Sequence, residues 1–83
     1  MDIFVPTYDG KKLSFVWEEK FSIKCSVENN IVTIEADKGG LISLARHLLE
    51  LAQENVPEFE HIHLDEYNSL DDNSAELIVV KRN

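Results

Sequence analysis

Ser22-Ile23-Lys24-Cys25-Ser26-Val27-Glu28-Asn29-Asn30-Ile31-Val32-Thr33-Ile34-Glu35-Ala36-Asp37 alternates apolar and polar residues on both sides of a central Asn29-Asn30. Period-two alternation is the mark of a half-buried strand, and Asn-Asn tolerates the positive φ of a two-residue hairpin turn. The turn fixes the register. Counting back from it sets Val27 opposite Val32, Cys25 opposite Ile34 and Ile23 opposite Ala36 on one face. Ser26 meets Thr33 and Lys24 meets Glu35 on the other, so one face is apolar and the other polar and charge-paired.

Downstream, Lys38-Gly39-Gly40 breaks the strand, and residues 41–54 carry apolar side chains at 41, 44, 45, 48, 51 and 52, flanked by Ile42 and Leu49. Ser43, Arg46, His47, Glu50, Gln53 and Glu54 occupy the opposite side. This 3.6-residue period predicts one amphipathic helix laid on a sheet, stopped by Asn55 and Pro57. Burying Leu41, Leu44, Leu48 and Leu51 contributes about 1.5–3 kcal/mol each, so Leu48→Ala is expected to destabilise the domain severely.

Two further hairpins are expected. Residues 3–5 and 13–17 flank Asp9-Gly10, a strong turn dipeptide, with Pro6 suited to an edge. Residues 61–65 and 76–81 flank an acidic loop whose turn-forming residues resist regular structure. The order β-β-β-β-α-β-β describes an α+β fold: a mostly antiparallel sheet of about five to six strands with one amphipathic helix on one face. In the last strand Leu77/Val79 and Ile78/Val80 are all apolar, which predicts a strand that is central or covered on both sides. A sheet face carrying Ile78 and Val80 without a second helix is a candidate interface, for self-association as a homodimer as readily as for a foreign partner.

Residues 1–83 are one domain, too short for a second core. The apolar content of 43% and charged content of 29% are those of a globular protein, and no apolar run approaches the roughly 18 residues that span a bilayer. Residues 1–6 lack the basic region, apolar run and cleavage site of a secretory signal. Cys25 is the only cysteine, which forbids an internal disulfide and suits a reducing compartment. A cytoplasmic protein is expected, with Cys25 structural.

The formal charge is −8, and nine acids lie between Glu50 and Glu76 while no Lys or Arg stands between Arg46 and Lys81. Such a field repels phosphate backbones and anionic lipid and attracts cationic partners. Direct nucleic-acid and membrane binding are therefore not expected.

His61-Ile62-His63-Leu64-Asp65-Glu66 resembles the HxHxDH run in which metallo-β-lactamase-like hydrolases hold zinc. Glu66 stands where that run needs a histidine, and the chain is too short for the fold or the remaining ligands. His61, His63 and Asp65 share a strand face all the same. Gly39-Gly40 lacks the spacing and lysine of a phosphate loop, and Asp71-Asp72-Asn73 lacks the alternating ligands of a calcium loop. Ser43 and His47, one helical turn apart, read as an exposed helix surface rather than a catalytic pair. No metal, cofactor or catalytic residue is expected. Trp17 and Tyr67 are of the type that fills cores, but Tyr67 sits among acids, where aromatics anchor interfaces.

Residues 39–53, from Gly39-Gly40-Leu41 through Leu51-Ala52-Gln53, followed by the His61-Ile62-His63-Leu64-Asp65-Glu66-Tyr67 segment, resemble the immunity proteins of bacterial polymorphic toxin systems numbered thirty-two in their series. The resemblance covers roughly the second half, and the 61–67 segment is its more distinctive piece. It implies a small α+β inhibitor, made beside a toxin, that binds the toxin domain inside the producing cell. Many such toxins are nucleases with basic clefts. On this reading Glu58, Glu60, Glu66, Asp71 and Asp72 steer into the cationic cleft, while Tyr67 and the His61, His63 and Asp65 face supply contact.

Overall fold

A computed structural model of the chain describes residues 1–83. The central hairpin is as the turn dictates: β1 (Ile23–Glu28) pairs antiparallel with β2 (Ile31–Ala36), Cys25 opposite Ile34 and Val27 opposite Val32. Asn29 and Asn30 take φ of 53° and 64°, the left-handed pair that a tight two-residue connection requires. The outer edge of β1 is not open. Asp71 and Ala75 donate their amides to Ile23 O and Cys25 O, and Cys25 N donates to Ser74 Oγ, so residues 71–75 lie along it in place of a third strand.

α1 (Lys38–Leu51) starts three residues earlier than its apolar period predicts. Asp37 is the N-cap and its carboxylate accepts from Gly40 N and Ser22 N, tying the helix start to the start of β1. The two glycines therefore sit inside the first turn. A Cβ on Gly39 would fall on Lys20 O, and one on Gly40 would lie 2.5 Å from Ser22 O and 2.8 Å from Ile23 Cγ1. Their smallness lets the helix start press against residues 20–23.

The face that α1 buries is rotated from the expected one, keeping Leu44 and Leu51 at the core and adding the polar residues beside them. Ser43, Arg46, His47 and Glu50 are buried with Leu51, while Leu41, Leu48 and Leu49 are 55%, 42% and 51% exposed. The cause lies at the N-terminus, where the expected strands at residues 3–5 and 13–17 do not form. Asp9-Gly10 does turn the chain, with Asp9 Oδ1 accepting from Lys11 N and Lys12 N and Gly10 at φ 87°. The two arms then bond to helix side chains instead of to each other.

Phe4 O accepts from Arg46 Nε, Pro6 O from Gln53 Nε2, and Tyr8 N donates to Gln53 Oε1. Returning, Ser14 N and Phe15 N donate to the Glu50 carboxylate, Val16 O accepts from Arg46 Nη1 and His47 Nε2, and Glu18 N donates to Ser43 Oγ. Backbone polar groups must find partners. Here the polar stripe of α1 supplies them, so it is covered, and Leu41, Leu48 and Leu49 are left exposed.

β3 (His61–Leu64) pairs antiparallel with β4 (Leu77–Val80), His61 opposite Val80 and His63 opposite Ile78. The whole is α+β with four strands in two two-stranded sheets, not a single sheet of five to six. β4 is neither central nor covered on both sides: Leu77 and Val79 are half-buried, and Ile78 and Val80 face out. The core between the layers is Tyr8, Ile23, Cys25, Leu51, Val56, Ile62, Leu64 and Leu70. Trp17 packs against it and stacks on Phe21. No helix is long and apolar enough to cross a membrane.

Candidate functional site

The outer face of the β3–β4 hairpin is built by alternation. Ile62 and Leu64 point into the core, which sends His61 and His63 outward beside Val80 and Ile78. Extending the register by one pair sets Asp65 opposite Glu76. His63 Nε2 lies 2.8 Å from Glu76 Oε2 and 3.6 Å from Asp65 Oδ2, so the imidazole sits between two carboxylates. One ligand atom from each of the three falls within 4.8 Å of the others.

This differs from the spacing read in the sequence. His61 takes no part, and Glu76, which sequence reasoning did not single out, replaces it. The signal was in the register, because a strand opposite Leu64 at Leu77 places residue 76 across from residue 65. One imidazole and two carboxylates could approach a divalent cation, but on an exposed surface the same atoms are accounted for by their mutual attraction.

Beyond Leu64 the chain turns sharply and is held throughout. Asp65 Oδ1 accepts from Tyr67 N and Asn68 N, Asn68 Nδ2 donates back to His63 O, and Glu66 Oε2 accepts from Asn73 N. The loop expected to resist regular structure is thus an ordered network of side-chain-capped turns. It leaves the Tyr67 ring 90% exposed. The turn already holds the Tyr67 backbone, so docking has only the side chain left to order.

The remaining acids divide into two groups. Glu58 is exposed and Glu60 half-buried just before β3, and neither carboxylate accepts a hydrogen bond within the chain. Asp71 and Asp72 belong to the segment along β1. Asp71 Oδ2 accepts from Ser22 Oγ, and Lys24 Nζ donates to Asp72 O. Asp71 shares a shallow depression with Lys24, Glu35 and Asp37 rather than with His63. Lys81 keeps its charge but turns it away from the outer face, its Nζ donating to Gln53 O and Val56 O, and Arg82 follows it exposed.

Beside His63 a pocket of about 210 Å³ is walled by Phe15, Trp17, Ile62 and Leu64 and rimmed by Asn68 and Ser69. The arm that carries Phe15 and Trp17 thus contributes to this surface, which the sequence alone did not foretell. Ser43 and His47 make no exposed pair: both are fully buried. Burial holds His47 below the ordinary histidine range, partly offset by its bond to Val16 O and by Glu50, with Arg46 adding to the lowering. Cys25 is buried as a free thiol.

Residues 31–83 match the family model described as Immunity protein 32. No curated protein and no solved structure shows a match to the chain.

Proposed function

The chain belongs to the immunity protein 32 family, and we propose that it binds a cognate toxin domain and blocks it by occupying a cationic working surface. The toxin class that fits is a nuclease, whose cleft must be basic to hold a phosphate backbone. On this reading the protein acts inside the producing cell, needs no cofactor and performs no chemistry. It binds neither nucleic acid nor membrane directly.

The observation that carries the reading is the predominance of acids around the β3–β4 hairpin. From residue 47 to residue 80 there is no Lys or Arg; Lys81 turns its ammonium to Gln53 O and Val56 O, and Arg82 is an exposed cation at the end of the hairpin. Asp65 and Glu76 flank His63 on the outward face that also carries His61, Ile78 and Val80, while Glu58, Glu60, Glu66 and the exposed Tyr67 stand on the segments just before and after β3. Docking surfaces that bind tightly pair an aromatic or apolar centre with a polar rim, and opposed charge at the rim raises the rate of encounter. Asp71 and Asp72, held along β1, extend the field and contribute to steering more than to contact.

Co-expression with the toxin domain encoded beside the chain tests this. Reversing Glu58, Glu60 and Asp72, whose carboxylates accept no hydrogen bond within the chain, to lysine is expected to abolish protection of the host cell while circular dichroism shows the fold intact. Tyr67→Ala is expected to weaken binding by at least about tenfold. Unchanged protection with the three charges reversed would contradict the proposal.

A further inference from the structure

α1 leaves a second surface unexplained. Its exposed face is apolar from end to end: Leu41, Ala45, Leu48 and Ala52 follow one another at spacings of four, three and four, with Ile42 and Leu49 alongside. That spacing is the seam of a helix that packs against another helix. Met1 and Ile3 of the first arm line a groove with Leu41, Ile42 and Ala45. Ile42 and Ala45 are half-buried there, and Leu41, Leu48 and Leu49 remain exposed.

From these observations we infer that the chain forms a two-fold symmetric dimer through α1, with the two helices antiparallel. The seam is complementary to itself. It alternates large and small residues, and an antiparallel pairing centred between 45 and 48 sets Ala45 against the Leu48 of a second copy and Leu41 against its Ala52. Each large side chain then meets a small one, as an isologous contact requires.

The flanking residues select the direction. In an antiparallel pair Ile42 and Leu49 meet the same two positions of the other copy, both apolar, Leu49 exposed and Ile42 half-buried. In a parallel pair Leu49 would meet Leu44, which is turned into its own core, and Ile42 would meet the N-cap Asp37.

Charge selects the occupant. Residues 38–49 contain Lys38 and Arg46 and no acid, the longest acid-free run of a chain with net charge −8, so two copies can meet on it without opposing carboxylates. The antiparallel arrangement also brings Lys38, which has no ion-pair partner, toward Glu54 at the far end of the other helix. A cationic toxin cleft gains nothing from this face, whereas the acidic β3–β4 surface stays free for it. The inference does not depend on the proposed function, and its test needs no toxin.

Sedimentation equilibrium of the purified chain at micromolar concentration is expected to give twice the 9.5 kDa chain mass. Ala45→Leu, which sets two leucines against each other, is expected to weaken the dimer at least about tenfold, and adding Leu48→Ala to it restores the large–small pairing and the affinity. Leu48→Glu is expected to give a folded monomer by circular dichroism.

A wild-type chain that stays monomeric to millimolar concentration would overturn the inference. So would a dimer indifferent to Leu48→Glu, a double variant as weak as the single one, or a dimer lost instead in Ile78→Asp, which would place the contact on the β3–β4 face.

Discussion

Replacing Glu50 by alanine strips the amides of Ser14 and Phe15 of their acceptor and frees the returning arm from the helix. Hydrogen bonds to a buried charged group are the strong kind, so the loss is expected to be about 2–4 kcal/mol. Leu48→Ala, which the apolar period marks as severe, trims a side chain that is 42% exposed and is expected to cost less than about 1 kcal/mol in dilute solution. Urea midpoints of the two variants decide the order. His47 adds a pH dependence. Burial lowers its native pKa, so its contribution is complete above the unfolded value of 6.5 and is lost progressively as pH falls from there through the lowered native value. The urea midpoint is expected to drop between about pH 7.5 and 5.5, and to drop less in His47→Gln. At this scale the sequence was least informative. Residue type alone cannot tell a polar stripe that faces water from one that captures backbone groups of a distant arm.

Elements held by their own local chemistry were legible. The Asn29-Asn30 turn dictated the β1–β2 register pair by pair, and the His61 and Glu76 neighbourhoods gave the second hairpin. The first hairpin failed for a physical reason: its turn formed, but its arms found stronger partners in Arg46, Glu50 and Gln53 than in each other. The Gly39-Gly40 break was seen and its purpose was not, since only the fold shows residues 20–23 lying against the helix start. Gly40→Ala tests that packing. Helix propensity favours alanine by about 1 kcal/mol, whereas forcing a Cβ against Ser22 O and Ile23 costs about 1–3 kcal/mol. The variant is expected to melt lower than the parent by several degrees; an equal or higher melting temperature would show that the contact yields freely.

For the whole molecule, charge distribution was read directly from the sequence and only its geometry was added by the fold. The nine acids between Glu50 and Glu76 do not form one patch: some surround the β3–β4 face, Asp71 and Asp72 sit along β1, and Glu50 is buried and used within the chain. A field of this kind acts at a distance and is screened over about 8 Å at physiological salt. The measurement that bears most directly on a docking role is the association rate with the proposed cognate toxin domain, followed by stopped flow across a salt series. The rate is expected to fall at least about tenfold between low salt and roughly 0.5 M, with the dissociation rate changing much less. An association rate that stays flat across that range would contradict the account.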